Sequence, residues 1–492
     1  MSAFASLRAR RPAAFFTLGT VLALLAGLAW PHAAARAADG LAGRWEGGLQ
    51  GPGVNLALSA EFTAKDGGLA GTLDIPAQGA TGLVLVDIVS GADGKVSFSV
   101  QTGGAPGAFV GAFSGDSLSG DYTQGPFKGT FSLHRAAAKP VVPAEPVPYR
   151  EEEVSFANGE VKLAGTLTVP PGKGPFPAVI LVTGSGPQNR DEEIFSFKPF
   201  RLIADHLSRH GVAVLRYDDR GIAKSTGDFA ASTTADFAGD AHAAVEYLRS
   251  PDFHRAHPEV NAKRVGICGH SEGGLIGPMV ANRNPGVAFV VLMAGPGVTG
   301  EKILLEQGQE ISRAGRATPE ELAQQAALQR RIFKAVRGVI PWDTVRASMM
   351  EMGRRQIAAL PEAQRQAVGD PEKYLAGVVD QQLQGSKSPW MRYFLDHDPA
   401  PELQKLRVPV LALFGEKDLQ VPTAQNRPAV EGALRKGGNK AFRAHVFPKA
   451  NHLFLTSETG SPAEYPSMKK EFVPGFLDTL SAWISRTPPR KK

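Results

Sequence analysis

Residues 40–135 alternate short hydrophobic and polar runs in a way that is typical of β-strands. Representative runs are "LALSAEFT", "LAGTLDI", "KVSFSV" and "GAFVGAFS", and turn residues recur about every eight to twelve positions, as in all-β domains. The pattern predicts a small antiparallel all-β domain, either a sandwich or a barrel. His134 is the only histidine of this segment, which argues against a metal site there.

The pattern of hydrophobic and polar residues changes after a proline-rich stretch. Residues 136–150 contain four prolines and predict a semi-rigid extended linker. From residue 151 onward, hydrophobic strand runs alternate with helical patterns, which predicts a mostly parallel sheet with crossover helices. The alternation stops over residues 298–405, where amphipathic helical patterns predict a helical cap. The predicted α/β core therefore comprises residues 151–297 and 406–487.

The first residues have the pattern of a targeting signal. Arg8, Arg10 and Arg11 precede an apolar run without charge, and residues 35–37 read A-R-A. We interpret residues 1–37 as a cleaved signal peptide, which predicts an exported protein, periplasmic or extracellular. The alternative is a transmembrane anchor, but the helix-breaking run "PHAAARAADG" favours cleavage, so no membrane span is expected in the mature chain.

Charge and cysteine content narrow the choice of partners. The formal net charge is +6. Four arginines and no acid lie in the leader, which leaves the mature chain at +2 and predicts no nucleic-acid partner. Cys268 is the single cysteine, so an intramolecular disulfide is excluded, and its hydrophobic context favours a buried position.

The stretch "ICGHSEGGLI" contains the pattern G-x-S-x-G, from Gly269 to Gly273. In a chain with 55 glycines these five letters alone prove little. Their context is more specific, because they follow the strand run "RVGIC" and precede a helical pattern. A tight turn from strand to helix exposes the serine hydroxyl above the sheet. Ser271 is therefore the predicted nucleophile.

A serine nucleophile needs a base and an acid that orients the base. In this architecture the chain order is serine, acid, histidine. His452 follows the last strand run and is the predicted base. "LALFGEKDLQV" offers Asp418 and Glu416 as the acid, and Asp418 is favoured because it lies past the turn at Gly415. Two more distant alternatives lie in the predicted cap, namely Asp396 and Asp398.

Oxyanion stabilisation requires backbone N–H donors near the nucleophile. We expect one donor from Glu272, whose carboxylate we interpret as structural at the start of a helix. The second donor is expected from the loop "TGSGPQNRDE", at Ser185 or, less favoured, Gly186. A phosphate-binding role for this loop is disfavoured, because no Lys-Ser/Thr pair follows its glycines.

Several stretches in this order resemble the α/β-hydrolase superfamily: "VTGSGPQNRDE", "LRYDDRGIAKSTGDF", "GICGHSEGGLIGPMVA", "GEKDLQV" and "NHLF". Within it, residues 150–487 are similar to exported or thermostable carboxylesterases related to serine-aminopeptidase-like and dienelactone-hydrolase-like proteins. The resemblance implies a triad of Ser271, Asp418 and His452. Thr183 stands where the loop of this family usually has histidine.

These features together predict a serine hydrolase that cleaves carboxylic esters with small to medium acyl chains, without cofactor or metal. The helical insertion is expected to cover the site, and Trp390, Met391 and Phe394 either line an acyl pocket or form an ordinary helix core. Two alternatives stay open. One is an aminopeptidase-type enzyme acting on short peptides, which would need an acidic pocket for the substrate amine. The other is a non-catalytic binding protein on a hydrolase scaffold.

Overall fold

The computed structural model describes residues 40–489 with these gaps: 52–53, 66–67, 76–79, 92, 101–105, 125–126, 137–145, 361, 363–364, 366–367 and 369. The predicted signal peptide and residues 137–145 of the predicted linker lie outside the described residues. No helix of the described chain is long and apolar enough to cross a membrane.

The N-terminal part is a closed antiparallel barrel of eight strands. The strands are β1 (Gly43–Gly51), β2 (Val54–Lys65), β3 (Gly68–Ile75), β4 (Ala80–Ser90), β5 (Lys95–Val100), β6 (Gly107–Ser114), β7 (Ser117–Gln124) and β8 (Phe127–Arg135). Strand β1 closes the barrel by pairing with both β2 and β8. Alternate side chains point inward, and Trp45, Phe62, Phe98, Phe109 and Phe131 are buried in the interior.

The all-β prediction is confirmed, and the structure selects the barrel over the sandwich. Strand β1 was not expected, because its sequence "GRWEGGLQG" is rich in glycine and lacks a regular alternation of apolar residues. Its formation follows from the partners on either side, which satisfy its backbone hydrogen bonds.

The second sheet has eight strands in the order β16-β15-β14-β13-β11-β12-β10-β9. Their ranges are β9 (Arg150–Asn158), β10 (Val161–Val169), β11 (Phe176–Val182), β12 (Ala213–Tyr217), β13 (Val260–His270), β14 (Val287–Met293), β15 (Val410–Gly415) and β16 (Phe442–Phe447). Strand β10 is antiparallel to β9 and β12, and all other pairs are parallel. The predicted mostly parallel sheet is confirmed. The charged edge strand β9 was not expected.

Twelve α-helices are described outside the barrel. They are α1 (Pro199–Arg209), α2 (Thr234–Arg249), α3 (Pro251–Ala256), α4 (Gly273–Arg283), α5 (Gly300–Ala314), α6 (Pro319–Val336), α7 (Trp342–Ala358), α8 (Pro371–Ser386), α9 (Pro389–Asp396), α10 (Ala400–Lys405), α11 (Thr423–Lys436) and α12 (Phe476–Arg486). Helices α1 and α12 cover one face of the sheet, and α2, α4 and α11 cover the other. Both faces of the central strands are therefore buried, which explains their continuous hydrophobic runs.

The helical insertion lies between β14 and β15, where helices α5 to α10 interrupt the alternation of strand and helix. Much of it packs around its own apolar cluster, which includes Ile332, Phe333, Val345, Leu383 and Leu395. Its last helix, α10, instead packs on the sheet domain through Leu403. The insertion is thus a small helical unit attached to the carboxyl edge of the parallel strands.

Candidate active site

Ser271 occupies a tight turn between β13 and α4. Its φ angle is +53°, a left-handed conformation that side chains rarely adopt, and its N–H donates to the Met293 carbonyl at 2.8 Å. A Cβ atom on Gly269 would lie 1.9 Å from the Gly273 carbonyl oxygen, and one on Gly273 would lie 2.3 Å from the Val182 carbonyl oxygen. Glycine is therefore required at both positions, because the neighbouring backbone leaves no room for a Cβ atom.

Asp418 and His452 meet at the carboxyl edge of the same sheet, where Asp418 follows β15 and His452 follows β16. Asp418 Oδ2 lies 2.8 Å from His452 Nδ1. The other carboxylate oxygen, Oδ1, accepts the N–H groups of Gln420 and Val421 at 2.8 and 2.9 Å. Both oxygens of Asp418 are thus placed to accept, and this contact favours the His452 tautomer with its proton on Nδ1 and its lone pair on Nε2.

The three alternative acids contact other groups. Glu416 accepts the Lys449 N–H at 2.7 Å, Asp396 pairs with Arg337, and Asp398 accepts the backbone N–H of Ala400. Of the four acids considered, the carboxylate that the structure brings to His452 is that of Asp418.

The turn carrying Ser271 and the loop carrying His452 are in direct contact. The ring of His270, the residue before Ser271, lies 4.7 Å from the ring of His452, centroid to centroid. His270 Nε2 is also 3.0 Å from the His452 carbonyl oxygen. The three residues proposed from the sequence as nucleophile, acid and base therefore share one edge of the sheet.

The loop after β11 lies against the same turn. A Cβ atom on Gly184 would be 3.1 Å from the Cβ atom of Ser271, and the Gly184 N–H donates to Glu192 at 2.7 Å. Within the described part of the chain, the backbone N–H groups of Ser185, Gly186 and Glu272 donate to no protein acceptor. These groups are thus available to a ligand, and the choice between Ser185 and Gly186 stays open.

A family model described as "Alpha/beta hydrolase family" matches residues 179–465, more than half of the chain. The chain belongs to the alpha/beta hydrolase family. This membership confirms the resemblance seen in the sequence, and the matched region contains every residue of the site described above.

The chain is also similar to individual proteins. Over 345 residues, which are 69% of this chain and 68% of the relative, the sequence is 28% identical to esterase EstD of Thermotoga maritima. Among solved structures, the Pyrococcus furiosus esterase PF2001 is 16% identical, with a TM-score of 0.41 over 71% of this chain and 96% of that one. A proline iminopeptidase of Mycobacterium smegmatis is 18% identical, with a TM-score of 0.39 over 68% and 98%.

In this hydrolase, the side chain of Glu272 joins the cap to the nucleophile turn. Glu272 is 2% exposed, and its Oε1 accepts the Thr234 hydroxyl at 2.6 Å and the Trp390 indole N–H at 2.8 Å. Burial raises the pKa of Glu272, although hydrogen bonds from these two side chains and from Ser185 act in the opposite direction. The structural interpretation of this carboxylate agrees with these contacts.

The three residues expected to line an acyl pocket pack together at the base of the cap. The rings of Trp390 and Phe394 stack with centroids 4.8 Å apart, and Met391 packs in the same apolar cluster, around Leu275 and Val421. Their assignment to an acyl pocket stays a prediction.

A small cavity of about 10 Å³, roughly the room that one water molecule needs, lies beside the loop after β11, residues 183–192, which we call the Ser185 loop. Its walls include Gly184, Gly186, Glu272, Ile276, Phe229 and Phe237, with Tyr217 and Asp219 at its polar side. Trp390, Met391 and Phe394 are not among its lining residues. The apolar wall beside the candidate oxyanion donors is therefore formed by the sheet domain.

The acidic pair in "YDDRG" holds the Ser185 loop in place. Asp219 accepts the Thr183 hydroxyl at 2.8 Å and the Gln188 N–H at 2.9 Å, and Asp218 pairs with Arg190 at 2.8 Å. Burial raises the pKa of Asp219 well above its ordinary value, although both hydrogen bonds lower it. Thr183, which replaces the usual histidine of the family, thus anchors its loop through Asp219.

Two further residues of the site were not identified from the sequence. Glu192 ends the quoted stretch "TGSGPQNRDE", and His270 is the variable position before Ser271. Both are buried, at 1% and 4% exposure, and they contact each other. The sequence offered one signal: both residues are ionisable, and they lie in the stretches assigned to the oxyanion loop and to the nucleophile turn.

Proposed function

We propose that the protein is a serine carboxylesterase acting on small to medium acyl esters through Ser271, His452 and Asp418. The observation that carries the proposal is the buried 2.8 Å contact between Asp418 and His452 beside a serine held at positive φ. Membership of the alpha/beta hydrolase family and 28% identity to an esterase support hydrolase activity.

In the proposed reaction, His452 Nε2 takes the proton of the Ser271 hydroxyl while Oγ attacks the ester carbonyl carbon. The tetrahedral intermediate collapses when the protonated His452 gives this proton to the leaving alkoxide oxygen. An acyl-enzyme on Ser271 is left. Water, deprotonated by the same imidazole, then attacks the acyl carbon and releases the carboxylic acid and the free serine.

The negative charge on the carbonyl oxygen would be bound by the N–H groups of Glu272 and Ser185. Within the described residues neither N–H group donates to a protein acceptor, and the Ser185 side chain hydrogen-bonds to the Glu272 carboxylate. Donors fixed in place before the reaction stabilise the oxyanion without reorganising. The positive end of helix α4, which begins at Gly273, adds to this stabilisation.

The shape of the site favours compact neutral acyl groups. Phe229, Phe237 and Ile276 supply apolar wall beside the donors, and Trp390 of the cap covers the nucleophile turn through Glu272. A covered site with an apolar wall suits such ligands. The carboxylates on the other side of the cavity, those of Asp219, Asp240 and Glu272, already accept hydrogen bonds from protein donors. We also propose that the enzyme acts in the periplasm or outside the cell, because the pattern of residues 1–37 is that of a cleaved signal peptide.

The test is hydrolysis of a series of p-nitrophenyl esters of increasing acyl length by the wild type and by Ser271→Ala. The variant is expected to lose about a thousandfold or more of kcat, with highest wild-type activity on the shorter acyl chains. Ser481→Ala is the matched control, because Ser481 is also buried but lies on α12, where it contacts His206. Turnover by purified Ser271→Ala would refute the nucleophile assignment.

Two further measurements separate the alternatives. Aminoacyl-p-nitroanilides turned over faster than the esters would identify a peptidase. Failure of a fluorophosphonate probe to label the wild type would favour a non-catalytic binding protein. We expect labelling at Ser271 and a clear preference for esters.

A further inference from the structure

A second buried pair of carboxylate and imidazole lies next to the Asp418–His452 pair. Glu192 and His270 are 1% and 4% exposed, and Glu192 Oε1 lies 2.9 Å from His270 Nδ1. The same Glu192 oxygen accepts the Gly184 N–H at 2.7 Å. The opposite ring nitrogen, His270 Nε2, lies 3.0 Å from the His452 carbonyl oxygen.

These contacts connect three segments that are far apart along the chain. Glu192 and His270 are 78 positions apart, and His270 and His452 are 182 apart. The pair thus joins the loop of the candidate oxyanion donors to the turn of Ser271 and to the loop of the candidate base. Glu192 also has a φ angle of +51°, a conformation that costs on the order of 1 kcal/mol or more and persists only where its surroundings enforce it.

The chemistry of the contacts defines the protonation of His270. Each ring nitrogen faces an oxygen, one of a carboxylate and one of a carbonyl, so the ring makes both contacts best when both nitrogens carry a proton. Burial alone would lower the pKa of His270, but the charge and hydrogen bond of Glu192 outweigh it and raise the pKa. A doubly protonated His270 donates in both directions, to Glu192 Oε1 and to the His452 carbonyl oxygen.

We propose that Glu192 and His270 are positioning residues that set the main chain of His452 and of Gly184 relative to Ser271; this inference rests on the proposed function. Asp418 orients the His452 ring from one side, and His270 holds its main chain from the other. With either anchor missing, the ring nitrogen that must reach Ser271 is free to shift. A misplacement of about 1 Å can cost about a hundredfold in rate.

The decisive experiment compares His270→Asn and His270→Gln. The amide nitrogen of asparagine can take the position of Nδ1 and keep the contact to Glu192, whereas that of glutamine can take the position of Nε2 and keep the contact to His452. Loss of the His452 contact in His270→Asn should lower kcat per fluorophosphonate-titrated site about a hundredfold, with KM within about twofold. His270→Gln should recover about tenfold of this loss.

The chain offers a matched control in His257. This histidine is also buried, at 7% exposure, with one nitrogen 2.9 Å from Glu152 and the other 3.2 Å from the Phe253 carbonyl. His257→Asn likewise keeps the Nδ1 contact, here to the Phe253 carbonyl, and removes the Nε2 contact, here to Glu152. Because this happens away from the site, it should leave kcat unchanged.

The outcomes distinguish this inference from the proposed function. If the wild type neither hydrolyses esters nor labels at Ser271, the proposed function is wrong. If the wild type is active and His270→Asn keeps its kcat, the positioning role alone is refuted. Equal losses of kcat in His270→Asn and His257→Asn would also refute it, because they would reflect general destabilisation. Should His270→Asn fail to fold, Glu192→Gln decides: about a tenfold loss of kcat at unchanged KM supports the role, and wild-type kcat overturns it.

Discussion

Replacing Asp418 by asparagine should reverse the tautomer of His452. Two backbone donors, the N–H groups of Gln420 and Val421, point at Asp418 Oδ1 at 2.8 and 2.9 Å. An asparagine must therefore turn its carbonyl oxygen to these donors, which directs its NH₂ group at His452 Nδ1. That nitrogen must then accept, so the proton moves to Nε2. The nitrogen that should deprotonate Ser271 would carry a proton instead.

The expected magnitude follows from this wrong tautomer. The corresponding substitution in a serine protease triad lowers kcat about 10⁴-fold while leaving the geometry intact. A loss of four decades corresponds to about 5.4 kcal/mol of activation free energy. We expect a loss of this order here, because Asp418 is buried and its orientation is fixed by two donors. The folded structure should persist, since asparagine retains the contacts to both backbone N–H groups.

The assay is steady-state hydrolysis of a p-nitrophenyl ester, with circular dichroism as the check on folding. The matched control is Glu416→Gln, because Glu416 lies two residues away and contacts the Lys449 N–H rather than His452. We expect the control to stay within about threefold of the wild type. A folded Asp418→Asn variant that keeps more than about a tenth of kcat would refute the reasoning. A larger loss in Glu416→Gln would transfer the role of acid to that residue.

Three further predictions concern the nucleophile turn. Gly269→Ala should give little soluble folded protein on expression, because its Cβ atom would overlap the Gly273 carbonyl oxygen at 1.9 Å; a well-expressed variant with a wild-type melting curve would contradict the required close approach. Trp390→Phe should lower the free energy of unfolding in urea by about 1.5–3 kcal/mol, since it removes a hydrogen bond to the buried Glu272 carboxylate; an unchanged unfolding midpoint would show that this contact contributes nothing. Folding raises the pKa of His270, so the stability that its charged form contributes is complete below about pH 6.5, the unfolded value, and is lost as the pH rises through the folded value. The difference in the free energy of unfolding in urea between the wild type and His270→Gln should therefore shrink as the pH increases. A constant difference from pH 6 to 9 would argue against a charged His270.

Hydrophobic periodicity predicted most of the fold because each central strand is buried on both sides. The run "AVILV" of β11 and the run "AFVVLM" of β14 lie between two layers of helices, so their residues are apolar at every position. Strands β1 and β9 were missed for the opposite reason. One is rich in glycine and the other is a charged edge strand, and both form because neighbouring strands offer backbone partners.

Chain order and local context were enough to select Asp418 and His452 as partners. Each follows a parallel strand, and the carboxyl ends of neighbouring parallel strands meet at one edge of the sheet. The distance between Asp418 Oδ2 and His452 Nδ1, 2.8 Å, agrees with that choice. Topology made this contact predictable, because β15 and β16 are adjacent in the sheet.

No comparable rule could have paired Glu192 with His270. Glu192 lies within an irregular loop, where its side chain is buried and its backbone adopts positive φ, which the sequence does not encode in a recognisable motif. Ionisable side chains in loops are mostly solvated, so a loop position by itself favours the surface for Glu192. A buried ion pair gains little net stability over apolar residues of similar size, because desolvation offsets the attraction between its charges. The pair is better explained by what hydrocarbon side chains could not do, which is to donate to the His452 carbonyl and accept from the Gly184 N–H at fixed distances.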